Sequence, residues 1–243
     1  MGRLFVAGIG PGNPENMTFA CRAALERADV VAGYTAYAAL VRPLFPDKEF
    51  IETPMTREAE RCRAALLAAR EGKTVALVCG GDAGVYGLAG LALELLPEYP
   101  GVEIEIIPGV TAALSGAALL GAPLGHDFAA VSLSDLLTPW EVIEIRLHCA
   151  AEADFCLALY NPSSHRRAEH LRKACDILLR YKAPDTLCGL AHNIGREGEH
   201  TEMMTLLELR EAQTDMFTTV FVGNAQTMRV AGRMVTPRGY RLD

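Results

Sequence analysis

The sequence predicts an α/β protein of two domains, residues 1–121 and 122–243, the first a mostly parallel sheet with flanking helices and the second a mixed sheet with helices. Three observations predict it. Short apolar runs that stop at glycine alternate with stretches whose apolar residues recur at helical spacing, as in strand–helix units joined by parallel pairing. The run KTVALVC (73–79) has no apolar–polar alternation, so it reads as a central parallel strand buried on both faces. Glycine and proline cluster in GAPLGHDF (121–128), where the helical pattern stops, and that marks the boundary between the domains.

In chain order, RLFVAGI (3–9) is a strand and MTFACRAALERA (17–28) a helix. DVVAGY (29–34) and KEFIETP (48–54) read as strands, and REAERCRAALLAAREG (57–72) as a helix closed by Gly72. After the buried strand at 73–79, VEIEIIPG (102–109) alternates Glu with Ile and reads as a more exposed strand, and TAALSGAALLG (111–121) as a helix after the Pro108-Gly109 turn. In the second domain FAAVSLS (128–134), DFCLALY (154–160), TLCGLAH (186–192) and FTTVFVG (217–223) are strand-like. PWEVIEIRLHCAA (139–151) and HRRAEHLRKACDILLRY (165–181) are helices, and 199–206 forms a short hairpin arm. The tail MVTPRGYRLD is too turn-rich to be assigned to an element.

Half of the residues are apolar and 7% aromatic, a balance of layered helix and sheet. No apolar run nears the roughly 18 residues of a membrane span, and no basic stretch precedes an apolar one, so a soluble, cytoplasmic protein is expected. The seven cysteines never fall as C-x-x-C, which predicts buried small hydrophobes and neither disulfides nor a metal site. A net charge of −7 disfavours nucleic acid and anionic membrane as partners, although local arginines can still bind an anionic small molecule.

Chemistry is expected at the strand ends. GIGPG (8–12) follows the first strand, where glycines admit a ligand to the backbone or simply make a tight turn. A dinucleotide fingerprint fails there, because Asn13 stands where the third glycine belongs, Asp29 lies at the wrong end of the second strand, and Pro11 removes an N–H. In LVCGGDAGVYG (77–87) Asp82 is either a helix N-cap or a ligand carboxylate, and Gly80, Gly81 and Gly84 leave open backbone on both sides of it. Thr111 in PGVTAA (108–113) caps a helix or lines the same crevice, at a third strand end of the sheet. Ser132, Ser134, Asp135 and Thr138 precede Pro139, as a capping cluster or as a polar rim with Asp135 as proton acceptor. His126 beside Asp127, and His192 with Asn193 and Arg196, are structural histidines or site groups. No G-x-S-x-G, P-loop or H-E-x-x-H occurs, so hydrolysis, ATP chemistry and zinc catalysis are disfavoured.

Taken together, GIGPG, GGDAGVYG, PGVTAA, the stretch from GAPLGHDF through SLSDLLTPWEVIEIRL, LALYNPSSHRR, and DMFTTVFVGN with TPRGY resemble the tetrapyrrole (corrin/porphyrin) methylase family over essentially the whole chain. The resemblance implies two α/β domains, usually a homodimer, with S-adenosylmethionine and a macrocyclic substrate meeting between the domains. It implies cofactor contacts at Pro11, Gly80, Gly81, Asp82, Val85, Thr111, Ala112, Asn161, Asn193, Ile194 and Thr219. Relatives often carry Tyr-Met where this chain has Tyr160-Asn161.

In the branch that SLSDLLTPWE, ALYNP and TPRGY resemble, methylation of a precorrin at carbon 17 is coupled to ring contraction, which needs proton movement. Asp135, His126 and Ser134 are the candidates for that movement. Arg57, Arg146, Arg166, Arg196 and Arg238 are candidates to bind the substrate's carboxylates, with a solvated helix face as the other reading of Arg166 and Arg167. Three other readings are a methylase acting on another precorrin position, a nicotinamide-dependent dehydrogenase, and a non-catalytic sensor of a nucleotide-like ligand.

Overall fold

Strand β1 (Arg3–Gly8) divides its side chains between two helical layers, which is why its apolar run does not alternate with polar residues. Leu4 and Val6 pack with Cys62, Leu66, Ala92 and Leu95, whereas Phe5 and Ala7 pack with Cys21, Leu25 and Val41. The computed structural model describes residues 2–164 and 167–241, and the chain divides into two units, Met1–Ala112 and Ala113–Asp243.

In the first unit, α1 (Phe19–Arg27), β2 (Val30–Tyr34), α2 (Thr35–Val41), β3 (Glu49–Thr53), α3 (Glu58–Arg70), β4 (Thr74–Cys79), α4 (Ala89–Leu95) and β5 (Glu103–Ile107) follow β1. The sheet is parallel throughout, in the order β3-β2-β4-β1-β5. β4 is central, and β5 is an edge strand with Glu103 and Glu105 exposed, as its alternation predicts. Helix α2 has no counterpart in the sequence reading: seven residues ahead of Pro43 are too few to display a period.

The second unit holds α5 (Ala112–Leu120), β6 (Gly121–Ala122), β7 (Phe128–Ser132), α6 (Trp140–Glu152), β8 (Cys156–Tyr160) and α7 (His170–Leu178). These lead into β9 (Leu187–His192), β10 (His200–Thr205), α8 (Leu206–Leu209), β11 (Thr218–Val222), β12 (Met228–Val230) and β13 (Arg233–Val235). Its main sheet is mixed, ordered β10-β9-β11-β8-β7, with β7 and β8 parallel and the other pairs antiparallel. Residues 199–206 therefore supply an edge strand of this sheet. Helix α5 packs on the second unit, since a Cβ at Gly116 would lie 2.9 Å from the Phe221 ring and one at Gly189 would lie 2.7 Å from Leu120. That packing draws the division between units at residue 112, nine residues before the Gly/Pro cluster at 121.

The turn-rich tail is ordered by pairing that no local signal announces. β13 pairs in parallel with β6 and antiparallel with β12, and buried Thr236 donates its hydroxyl to the Pro123 carbonyl at 2.6 Å. Six of the seven cysteines are buried, as expected, and Cys149 on α6 is exposed. Burial pushes the thiols of Cys21, Cys62 and Cys175 up to about 12 and that of Cys79 up to about 11, so these are inert packing groups. No helix among the described residues is long and apolar enough to cross a membrane.

Thr236→Val keeps the shape at position 236 but leaves the buried Pro123 carbonyl without its donor. It should lower unfolding stability by roughly 2 kcal/mol, read as a reduced denaturant midpoint with an unchanged slope; an unchanged midpoint would mean that the tail contributes nothing to the fold.

Candidate functional site

Adjacent strands β4, β1 and β5 are parallel, so the loops that leave their carboxyl ends lie side by side at one edge of the first sheet. The three loops are in backbone contact. Gly10 and Gly81 exchange two hydrogen bonds, with Gly10 N–H donating to the Gly81 carbonyl at 3.0 Å and Gly81 N–H to the Gly10 carbonyl at 2.7 Å. A Cβ at Gly109 would lie 2.1 Å from the Gly81 carbonyl oxygen, and one at Gly8 would lie 2.6 Å from the same atom. Gly81 also has a φ of +70°, in the left-handed region. Thr18 adds a strap: its hydroxyl accepts from Cys21 N–H, capping α1, and donates to the Pro108 carbonyl at 3.2 Å.

Asp82 fastens this junction. One carboxylate oxygen accepts from Gly84 N–H at 2.7 Å and Val85 N–H at 2.9 Å, and the other accepts from Gly109 N–H at 2.9 Å. Asp82 is not a helix cap, because α4 begins only at Ala89. Partial burial pulls its pKa upward, but the backbone donors of Gly109, Gly84 and Val85 outweigh burial and hold the carboxyl below its ordinary value. The doubled glycine has two causes: Gly81 takes a left-handed turn, and a Cβ at Gly80 would meet the ring of Tyr37 on α2 at 2.6 Å. Tyr37 was invisible to sequence reading because its helix was.

Around this latch Pro11 is buried, Gly80, Gly81, Thr111 and Ala112 are half-buried, and Val85 and Tyr86 are exposed. Tyr86 holds a φ of +55°, an uncommon conformation for an aromatic residue and a sign of local strain in this loop. An ionised carboxylate at the junction and the exposed Val85 and Tyr86 side chains beside it give this edge negative charge next to exposed side-chain surface. They offer nothing to a pyrophosphate. Asp29, at the wrong end of β2 for a dinucleotide's ribose, is spent on Thr74 N–H at 2.8 Å, at the opposite edge of the sheet.

In the second unit β7, β8 and β9 point one way and β11 the other, so the carboxyl ends of the first three share an edge with the start of β11. Asn161, Asn193, Ile194 and Thr219 lie at that edge, with Ser134 and Asp135. Asn161 and Asn193 have φ values of +52° and +48°, which asparagine tolerates better than methionine or other large residues. The Asn161 amide donates to Ser132 Oγ at 2.9 Å, tying β7 to β8. Ile194 and Thr219 are buried within this unit. The Ala113 N–H donates to Tyr160 Oη at 2.8 Å, a link that the sequence did not reveal.

The polar cluster before α6 is not a cap: Pro139 holds the N-cap position without a side-chain bond. Ser132 Oγ accepts from Ser134 N–H at 3.2 Å, and Asp135 pairs with His170 Nε2 at 3.2 Å. His170 is buried at the start of α7 and meets Trp140 edge-on, with ring centroids 4.8 Å apart. Sequence reading passed over it as part of an amphipathic helix.

His126 does not join Ser134 and Asp135. It precedes β7 whereas they follow it, so a five-residue strand of about 16 Å separates them, and His126 Nδ1 is occupied locally by Asp127 N–H. His192 is half-buried at the end of β9, and its partial burial, then the neighbouring His200, hold its pKa below the ordinary value.

The arginines are dispersed. Arg57 pairs with Glu60 on α3, Arg146 is exposed on α6, and Arg238 is exposed beyond β13. Arg196 lies over the Phe217 ring at 4.9 Å, in the loop that follows β9. Arg166 lies outside the described residues.

A parallel sheet whose glycine-lined carboxyl-edge loops are joined by a latched aspartate defines an α/β protein with the strand-end edge at which open parallel sheets bind ligands. The chain belongs to the tetrapyrrole (corrin/porphyrin) methylases, whose family model matches residues 3–210. It is 48% identical over 98% of its length to all of a probable cobalt-factor III C(17)-methyltransferase of Salmonella typhimurium. It is 46% identical over 99% of its length to a cobalt-factor III methyltransferase of Priestia megaterium, of which it spans 45%.

A precorrin-3B C(17)-methyltransferase of Sinorhizobium is 39% identical, covering 98% of this chain and 97% of that one. Among solved structures, that of the methyltransferase CobJ matches with a TM-score of 0.91 at 40% identity, over 98% of this chain and 100% of that one. A uroporphyrin-III C-methyltransferase from Thermus thermophilus, in complex with S-adenosyl homocysteine, matches with a TM-score of 0.71 at 26% identity, over 91% of this chain and 92% of that one. This membership overturns the dehydrogenase alternative.

Asp82→Asn should destabilise the first unit by roughly 2 kcal/mol at neutral pH. Because the folded carboxyl has a depressed pKa, its contribution is present above the unfolded value of about 4 and fades as pH falls through the folded one. The gap between wild type and variant in urea denaturation should therefore narrow below about pH 4; a gap constant with pH would mean that Asp82 does not act as an ionised latch.

Proposed function

We propose that this protein transfers a methyl group from S-adenosylmethionine to carbon 17 of a cobalt-factor III or precorrin-3B type tetrapyrrole, with contraction of the macrocycle, in cobalamin biosynthesis. Identity of 41–48% to cobalt-factor III enzymes, against 39% to the precorrin-3B enzyme, favours the cobalt-bearing substrate. The observation that carries the cofactor reading is the junction of Gly8, Gly81 and Gly109 latched by ionised Asp82, in a chain whose whole length is similar to these enzymes.

Bound S-adenosylmethionine supplies an electrophilic methyl group on a sulfonium. The chain's own task is alignment and exclusion of water, which needs no side-chain nucleophile. Asp82 supplies fixed negative charge and holds the loops that present Pro11, Val85, Thr111 and Ala112. Asn161, Asn193, Ile194 and Thr219 are proposed as further cofactor contacts.

Proton movement in the contraction is assigned to Asp135, a carboxylate whose orientation is fixed by His170 and flanked by Ser134. Beside it Leu136 and Leu137, 68% and 98% exposed, offer apolar surface to a macrocycle. Arg196, braced on Phe217, is the arginine proposed to meet a substrate carboxylate; Arg57, Arg146, Arg166 and Arg238 are lesser candidates. A cytoplasmic homodimer completes the reading, on the resemblance to the family.

Calorimetry should show S-adenosylhomocysteine binding and no NAD binding, with Asp82→Ala weakening the former at least tenfold; unchanged affinity in the variant would free Asp82 of any role in cofactor binding. Mass spectrometry after incubation with S-adenosylmethionine should find one added methyl on the cobalt-bearing trimethylated precursor, and methylation of the metal-free precursor alone would reverse the substrate assignment. Asp135→Asn should lower kcat about a hundredfold with little change in the KM for S-adenosylmethionine, and a full kcat would remove Asp135 from the chemistry.

A further inference from the structure

Strands β9 and β10 bring three donor side chains to one face of an antiparallel pair. His192 and His200 are directly opposed in the register, and Glu202 is two residues beyond His200, hence on the same face. Their candidate ligand atoms all lie within 4.8 Å of one another. The two imidazole rings are stacked, with centroids 4.4 Å apart.

Hydrogen bonding fixes both tautomers. Thr218 Oγ1 donates its only proton to Asp215 Oδ1 at 2.8 Å, so at 3.0 Å from the same oxygen His192 Nδ1 must be the donor. Asp215 is itself held by Phe217 N–H at 2.9 Å. His200 Nδ1 lies 2.9 Å from the Gly198 carbonyl, which can only accept, so that nitrogen also carries its proton. In the neutral form of each ring Nε2 then keeps its lone pair, at 3.3 Å (His192) and 3.7 Å (His200) from Glu202 Oε1. His192 Nε2 is buried and makes no hydrogen bond.

A neutral imidazole nitrogen and a carboxylate oxygen set face to face direct lone pairs at each other, and a divalent cation between them satisfies both. Donors bound to such an ion at about 2.0–2.1 Å in a tetrahedral site stand about 3.3–3.4 Å apart, close to the separations from Glu202. An outer acceptor on each Nδ1–H is the arrangement that orients metal-ligating histidines.

We infer that His192, His200 and Glu202 form a binding site for a first-row divalent transition-metal ion, such as zinc or cobalt, outside the machinery of methyl transfer. Nitrogen and carboxylate donors suit these ions, and three protein ligands leave a position for water. His200 is exposed, so its ring is free to tilt out of the stack and aim its lone pair at the ion. The ion would pin the two ends of the loop at 193–199, which carries Asn193, Ile194 and Arg196.

The test uses the full chain, stripped with a chelator and titrated with Zn²⁺ alone by calorimetry and with Co²⁺ alone by visible absorption. One equivalent should bind, with a tetrahedral Co²⁺ spectrum, and His200→Ala and Glu202→Gln, both at exposed positions, should each weaken binding at least about tenfold. Failure of the full chain to bind either ion, unaltered affinity in both variants, or a thiolate charge-transfer band placing Co²⁺ on cysteine would overturn the assignment. Since methyl transfer is not the readout, this result is independent of the proposed activity.

Discussion

Asp82 is the constraint on which the first unit's site depends. Its two oxygens hold the turn after β4 and the loop after β5 together, while the Gly10–Gly81 exchange joins the loop after β1. Three peptide segments so close leave no room for a Cβ at Gly8 or Gly109. A carboxylate satisfied by backbone N–H groups remains charged at low cost, so one group both closes the junction and gives it negative potential. A cationic cofactor and an aspartate that never needs to change protonation are mutually consistent.

The second unit solves a related problem with different chemistry. Its strand ends are turned by asparagines in left-handed conformations, and side chains rather than glycine backbone join neighbouring strands, as in the pairing of Asn161 with Ser132. Asp135 with His170, and Ser163 with Thr214, are polar chains anchored at that edge by the buried His170 and Ser163. Such chains hold a side chain in one orientation, which is what alignment of a large substrate requires.

The elements with strong local signals were legible. The unalternating run at 73–79 is the central strand β4, and the Glu–Ile alternation at 102–109 is the edge strand β5, because burial on two faces or one writes directly into the pattern. Helix α2 and the small β12-β13-β6 sheet were not legible, the first being too short for periodicity and the second depending on residues more than a hundred positions apart. The same distinction divides the site. Gly80, Gly81 and Asp82 stood out as unusual residues at a strand end, but His170 looked like any helix residue until Asp135 was found beside it.

By itself the sequence determined the layered α/β class, the glycine-bearing strand ends and, through its motifs, the family. Those features are encoded in residues adjacent along the chain, where period, size and backbone freedom act locally. Tertiary structure alone decided that Asp82 is a latch and not a helix cap, that His126 is parted from Asp135 by a strand, and that two histidines and a glutamate converge on one face. Each of those outcomes depends on strand order and register, and pairing between distant segments is set by packing of the whole unit, not by any local run of residues.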